Sequence, residues 1–519
     1  MKKSDRPLPC AAEDYIPLRE KISYGIGDFF GGGQATMISL ILLVFMTDGL
    51  GIGAGIAGTI ITLAKFWDAV SDPFMGNLSD NFRSKLGRRK PFIFLGGLLI
   101  VPAMLFLFAP WTWGAVEGSG QYYGKVVVVA IAYLVYCTVS TVSQVPYCSL
   151  SSDISSDYRQ RNAANTFKLV TDMAAAGLCY LIPSLIWQAF KESNITLTQF
   201  WLIISLGFGS VFALTLILCA LTVKERTPLP ESKQRFSFKS YSEPLKIKSF
   251  RLHLGMYITS FLTMDLISAL AIYYCDNILS GLKLFGMNMS SLFVIGPMMV
   301  LAACVVPLCY YFMKIKSKQF AFRVGMPLYI AGAILLAVYQ PSWPTWLVPL
   351  FAVILGLGFG GTQMMPWLIF PDTVDVAELK LGKRDTGSFS GLMTFSRKIC
   401  TALAILIVGW VLSGAHYISG VNQVQPKSAL IAIRVLLGAS VTVLISLGFL
   451  FSMLYKITDK KLARVRYYLD VQRAGNNDTL TDEEQAEREA LLNELAGASK
   501  VKKESKSTPA QGNDGADGE

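Results

Sequence analysis

Histidine and charge are both scarce in this chain. Only two of its 519 residues are histidine, His253 and His416, far apart and without a nucleophile motif nearby, so acid–base or nucleophilic enzyme chemistry is not expected. Charged residues make up 16%, against about 25% in soluble proteins, which excludes an ordinary soluble domain. The nine cysteines contain no CxxC pair, and most, such as Cys137, Cys219 and Cys304, lie in apolar runs. They read as packing residues rather than disulfides or zinc ligands. No GxxxxGK[ST] loop is present, which removes ATP as an energy source. The first residues, Met1 to Lys21, are polar and lack the apolar core and cleavage site of a signal peptide, so none is expected.

What the chain has in abundance is long apolar runs. It is 52% hydrophobic, with mean hydropathy +0.45. Twelve runs approach the roughly 20 residues a membrane helix needs: 24–48, 54–78, 91–113, 125–150, 164–189, 198–222, 252–278, 288–313, 321–341, 345–370, 388–414 and 428–455. Spans two, four, five, seven and eleven are interrupted by polar residues, which turns them toward an interior. The net charge of +11 comes largely from short loops: Arg83, Lys85, Arg88, Arg89 and Lys90, then Arg159 and Arg161, then the linker and the loops after spans eight, ten and twelve. The alternate loops carry few basic residues. This asymmetry implies orientation in a bilayer, not nucleic-acid binding, with both termini in the cytoplasm.

The expected organisation is a cytoplasmic N-terminus (1–23), six helices (24–222), a basic linker (223–251), six helices (252–455) and a cytoplasmic tail (456–519). The expected fold class is therefore an all-α membrane protein of two related six-helix bundles with a site between them near mid-membrane. In the tail, Thr481-Asp-Glu-Glu484 reads as a capping box before a helix to about Leu495. The end, 500–519, has a disordered composition.

The most informative residues are Asp68 and Asp72, in the segment KFWDAVSDPFMG of span two. Four residues is one helical turn, so both acids share a face. An acid facing hydrocarbon costs roughly 2.5–3.5 kcal/mol on insertion scales, so that face looks into protein or water and suits a bound cation or a carried proton. Ion pairing with Lys65 or Lys398 is the purely structural alternative.

At this point the motifs become familiar. Gly76-Asn-Leu-Ser-Asp80 with Leu86-Gly-Arg-Arg-Lys-Pro91 resembles the loop after the second helix of major facilitator transporters. From about Leu18 to Leu469 the chain is similar to the glycoside–pentoside–hexuronide:cation symporters, the family of melibiose permease and the glucuronide carrier. The likeness rests on Tyr24-Gly-Ile-Gly-Asp28, Trp67-Asp68-Ala-Val-Ser-Asp72-Pro73, Val145-Pro146-Tyr147, Pro366-Trp367 with Asp372-Thr-Val-Asp375, Thr394-Phe-Ser-Arg-Lys398 and Thr458-Asp-Lys-Lys461. It implies a 12-helix major facilitator fold and cation-coupled sugar uptake.

The resemblance implies that Asp68 and Asp72 hold the cation (Na+ as the metal, if sodium is coupled), with Gln144 and Thr394 nearby. It implies Asp28, Lys168, Asp172, Gln144, Trp367 and Lys398 for substrate, and Tyr136 and Tyr147 as further stacking candidates. Gly76, Asp80, Arg83, Arg88 and Arg89 would form the cytoplasmic gate. Lys398 would face the acids from the second bundle, whereas Arg397, about 100° away on the helix, is expected to reach the membrane interface. Lys168 and Asp172 also fit a local i,i+4 pair. Gln144 stands where melibiose permease has an aspartate, and the lost charge favours H+ over Na+. Asp265 has no family counterpart and reads as cavity-lining or as a cap. No cofactor is implied beyond the co-transported H+ or Na+, and the partners are a small sugar-type substrate and the lipid bilayer, with no nucleic acid. The chain is expected to be a multi-pass monomer of a bacterial inner membrane. Two alternatives stay open. One is a lysolipid symporter, because Phe370-Pro371-Asp372 resembles the lysophosphatidylcholine branch; the other is a non-transporting sensor.

Overall fold

The structure, a computed structural model, describes residues 15–114, 119–155, 158–226, 243–284, 287–288, 291–382, 386–474 and 480–497. Among these the chain forms fourteen long helices. The first six are α1 (Leu18–Gly49), α2 (Ala54–Asn81), α3 (Lys90–Leu107), α4 (Gly120–Asp153), α5 (Tyr158–Lys191) and α6 (Leu197–Thr222). The next six are α7 (Lys248–Ile278), α8 (Ser291–Ile315), α9 (Lys318–Val338), α10 (Leu347–Leu381), α11 (Thr386–Gly414) and α12 (Lys427–Leu454). The tail adds α13 (Asp459–Arg473) and α14 (Asp482–Ala496). A two-residue antiparallel pairing, Lys283–Leu284 with Met287–Asn288, follows α7.

Among the described residues ten helices are long and apolar enough to cross a membrane. Helix α2, which carries Lys65, Asp68 and Asp72, falls short in hydropathy, and its two faces show why it still belongs inside. Leu63, Phe66, Val70, Phe74 and Leu78 recur at three- and four-residue steps and are exposed, as a lipid-facing stripe would be. The opposite face carries Lys65, Asp68, Asp72, Gly76 and Asp80 and lines an internal cavity. Polar caps set several starts: Ser119 accepts from the Tyr122 amide, Ser317 from Phe320, and Thr196 and Gln199 form a capping box.

Helices α1–α6 pack among themselves, as do α7–α12. The halves meet along α2 with α11, α5 with α8 and α1 with α7. Second-to-fifth, fifth-to-second and first-to-first is the pairing that a two-fold relation between the halves generates. The α2–α11 crossing depends on glycine. A Cβ on Gly409 would lie 2.6 Å from the Ala54 carbonyl oxygen and 3.1 Å from the Gly58 Cα, so backbones touch where no side chain intervenes.

The helices run past the apolar runs. α10 continues to Leu381, well beyond residue 370, because the tail neutralises its acids. Arg466 of α13 lies 3.4 Å from Asp372 and 3.3 Å from Asp375, Arg473 lies 2.7 Å from Glu378, and Lys318 lies 2.6 Å from Asp372. Helix α7 begins at Lys248, earlier than expected, after a short turn Pro244–Lys246. Thr481 and Glu484 form the expected capping box of α14, which ends at Ala496. Lys461 and Arg464 hold α14 through Glu494 and Glu487, and Lys380 donates to the Ala496 and Gly497 carbonyls. Hydrogen bonds from Arg464 and Tyr468 keep the Glu487 carboxyl down at about 2, so this link is ionised at any physiological pH. The disordered end expected at 500–519 lies outside the described residues.

Candidate functional site

Between the two bundles lies a cavity of about 1330 Å³. It runs from Leu42, Leu43 and Ile405 to Asp80, Arg89 and Ser388, at the end of the molecule that bears the basic 82–89 loop. The other end is sealed by contacts between the bundles. Thr47 Oγ1 lies 2.7 Å from Tyr273 Oη, and Tyr417 donates to the Asp48 carboxylate, 3.1 and 3.0 Å from its two oxygens. Trp187 and Lys191 of α5 hold Asp276 of α7 at 3.1 and 3.2 Å, and Ser419 donates to the Ile52 carbonyl.

Asp68 and Asp72 project into this cavity. Lys398 reaches them from α11, its Nζ 3.1 Å from Asp68 Oδ2 and hydrogen-bonded to Asp72 Oδ2. Lys65, one turn earlier on α2, lies 3.8 Å from Asp68. From α4 the Thr141 hydroxyl stands 2.7 Å from Asp68 Oδ1 and 3.1 Å from Asp72 Oδ1, and its single proton serves one at a time. Two carboxylates, a hydroxyl oxygen and an ammonium thus converge at the line where the halves meet. Thr141 was not foreseen. Its signal was the run Thr138, Ser140, Thr141, Ser143 and Gln144, dense in side-chain oxygens for an apolar span.

The second bundle supplies a different wall. Asp265 of α7 lines the cavity and accepts a 2.5 Å hydrogen bond from Thr401 of α11. Arg397 lines it too, its guanidinium 3.7 Å from Asp265 and 4.6 Å from the ring centre of Phe261. That overturns the expected interfacial position of Arg397: both flanks of α11 face protein here, so a 100° step does not reach lipid. Trp367 is half-exposed into the cavity and meets Tyr257 edge-on, with ring centres 5.4 Å apart.

Other expected site residues lie elsewhere. Asp28 is buried behind the wall, 4.0 Å from Lys168, whose amine also covers the Tyr147 ring. Lys168 therefore pairs across helices rather than with Asp172 at i,i+4. Neither Lys168 nor Asp172 lines the cavity; Asp172 presses on Gly32, where a Cβ would lie 2.0 Å from its Oδ1. The tight α1–α5 contact pulls this cluster out of the cavity. Gln144 lines the cavity with a buried Oε1 that accepts no hydrogen bond, one turn beyond Thr141 and away from the acid pair. Thr394 lines it a turn from Lys398 without bonding either acid. Tyr136 donates to Gln34 and Tyr147 to the Tyr24 carbonyl, both buried in packing.

At the open end Arg89 pairs with Asp80 at 2.9 Å, and the Glu225 carboxylate accepts from the amides of Arg88, Arg89 and Lys90. An acid at a helix N-terminus complements its exposed amides and dipole. Arg83 differs from expectation. It donates to the carbonyls of Asp80 and Phe82, because its place at the end of α2 turns it back on its own chain. Gly76 lines the cavity, and a Cβ there would stand in ordinary contact with Val145, 3.7 Å away.

The family model "MFS/sugar transport protein" matches residues 23–459. Relatives align over most of both chains. The putative glycoside/cation symporter YagG of Escherichia coli (strain K12) is 26% identical over 90% of this chain and 98% of its own. The glucuronide carrier protein homolog of the same organism is 24% identical over 90% and 98%. A putative sulfoquinovose importer of Salmonella typhimurium is 24% identical over 91% and 97%. Among solved structures, nucleoside transporter NupG superposes with a TM-score of 0.58 at 12% identity, covering 85% of this chain and 99% of that one; this likeness speaks to the fold. Two related six-helix halves around a charged central cavity, matched by the family model over residues 23–459, make this chain a member of the MFS/sugar transport protein family, a membrane transporter of the major facilitator fold and not an enzyme.

Proposed function

We propose that the chain is a secondary active symporter that uses an inward cation gradient, H+ ahead of Na+, to take up a glycoside, pentoside or hexuronide by alternating access. The observation that carries this reading is Lys398 lodged between Asp68 and Asp72 at the junction of the bundles. In the unloaded cavity the lysine neutralises the acids. A proton or sodium ion arriving there competes with the ammonium, loosens the tie between the halves and so couples its own binding to rearrangement. Gln144, in a position where an acid would favour sodium, adds no charge, which supports the proton. Relatives named for glycosides and glucuronides support the sugar.

The conformation described is open at the end with the basic loops, which the charge asymmetry assigns to the cytoplasm. A reporter enzyme active only outside the cell, fused after Tyr455, is expected to stay silent; a strong signal would reverse the orientation. Coupling is tested in energy-depleted cells. Adding the transported sugar should alkalinise an unbuffered, sodium-free medium, whereas a response that requires sodium would refute the proton preference.

A lysolipid cargo on the same scaffold is the second reading. It needs lateral entry from the bilayer. An apolar groove does lie between α2, α4 and α11, lined by Gly55, Thr59, Leu63, Val127 and Trp410, but it has no lining residue in common with the central cavity. That separation favours a cargo entering from water.

A further inference from the structure

We infer that Arg397 reads an oxyanion on the sugar, so that the preferred cargo is a glycoside whose ring carries a carboxylate or sulfonate. This rests on the symporter reading above and narrows its substrate. A guanidinium presents five N–H donors in a planar fork suited to gripping an oxyanion through two parallel hydrogen bonds. Arg397 donates one of them to the Tyr257 hydroxyl, and among the described residues no carboxylate accepts from the others. Its nearest carboxylate oxygen, on Asp265, is 3.7 Å away, too far for a hydrogen bond, and that carboxylate takes its own hydrogen bond from Thr401 on its other oxygen. Asp172 of α5 acts on Arg397 only through its field, from beyond ion-pair distance. The cavity's other central cations are committed to the acids of α2: Lys398 bonds Asp72, and Lys65 lies beside Asp68 on the same helix.

The fork is also held in place. One flat face rests on Phe261, which packs against Tyr257 with ring centres 4.6 Å apart, and both rings meet Trp367 at 6.4 and 5.4 Å. Stacking of this kind fixes a guanidinium in one plane before any ligand arrives, so less freedom is lost on binding. The exposed face of Trp367 adjoins this corner and offers an apolar plane for the C–H face of a pyranose. Ring on Trp367 and oxyanion on Arg397 is the arrangement that a uronic-acid or sulfonated sugar fits and a plain hexose half-satisfies. Asp265 fits the same role: at 3.7 Å it offsets the arginine's charge in the empty cavity without occupying its donors.

The test uses purified full-length protein in liposomes, with cation-driven uptake of 4-nitrophenyl β-D-glucuronide, the matching sulfoquinovoside and the neutral 4-nitrophenyl β-D-glucoside. A charge-assisted hydrogen bond is worth about 1.5–3 kcal/mol, so at least one anionic probe should be favoured over the glucoside by about tenfold or more in kcat/KM. Arg397→Gln should collapse that ratio to near unity, the anionic probe losing at least about tenfold more than the glucoside; Arg397→Lys should keep part of it. A structural role would lower all three probes together, which would overturn the inference, as would an anion preference that survives in Arg397→Gln. Equal cation-driven uptake of all three by the wild type overturns the inference but leaves the symporter intact. No uptake of any probe, with thermal stability still responding to the cation, overturns the sugar reading and this inference with it.

Discussion

Asp72→Asn, and separately Asp68→Asn, should abolish concentrative uptake while leaving the protein inserted and folded. The two acids share one lysine and one threonine hydroxyl. Removing either charge leaves Lys398 balanced by the other, so the halves stay tied in every state and an incoming cation has no vacancy to fill. Coupling requires that cation binding and substrate binding each raise the affinity for the other. An amide cannot take up a proton in this range and holds sodium poorly, so the linkage term vanishes. The accumulation ratio in gradient-driven liposomes should then fall to about one, since nothing couples the two fluxes. Exchange of labelled for unlabelled sugar, which needs no net cation cycle, should survive better than accumulation. Full concentrative uptake in both single variants would remove these acids from the mechanism.

The reason so much of the fold could be read beforehand is that membrane helices advertise themselves. A run such as 428–455 has few alternatives to spanning a bilayer, because unsatisfied backbone groups cannot be left in hydrocarbon. Asp68 and Asp72 were legible for the complementary reason: two acids a turn apart have nowhere to go but inward. Legibility failed where a residue's surroundings come from distant segments. The helical reach of α10 through Asp372, Asp375 and Glu378 depends on arginines nearly a hundred residues later, in α13. Arg397 was assigned to the membrane interface by helical phase alone, but phase says nothing about how wide the protein-facing arc is, and Asp265 on α7 widens it. Asp28 and Lys168 are implied as substrate residues by the family resemblance, which follows sequence position and not packing. Gly25 and Gly32 let α1 close on Phe167 and Asp172 of α5, a close approach that only the packed helices reveal. Thr141 was overlooked because a hydroxyl barely disturbs hydropathy, yet it touches both acids.

Lys398→Ala should prove nearly as damaging to transport as loss of the acids, for the opposite reason. It leaves two carboxylates a turn apart on α2 with Lys65, 3.8 Å from Asp68, as the remaining nearby cation. Stripping one partner from a buried ion pair costs about 3–5 kcal/mol. Here Lys398 and Asp72 are each about a quarter exposed or less, at 26% and 20% of their side chains, so cavity water softens the loss without removing it. A destabilisation of about 1–3 kcal/mol is expected, within the range for charged hydrogen bonds. The double variant Lys398→Ala with Asp72→Asn should cost less than the two single losses added together, because it orphans no charge. Chemical-denaturation or melting measurements on the four detergent-purified proteins close the cycle, and a coupling of about 1–3 kcal/mol between positions 72 and 398 is the expected result. The same cycle run with Asp68→Asn should give a smaller coupling, since Lys398 stands farther from Asp68 than from Asp72. Because Asp72 belongs to the first half of the chain and Lys398 to the second, a nonzero coupling also reports that the halves meet at this point in the resting protein. Strict additivity in both cycles would mean that the lysine does not bridge the bundles, and the competition between ammonium and incoming cation would then have no physical basis.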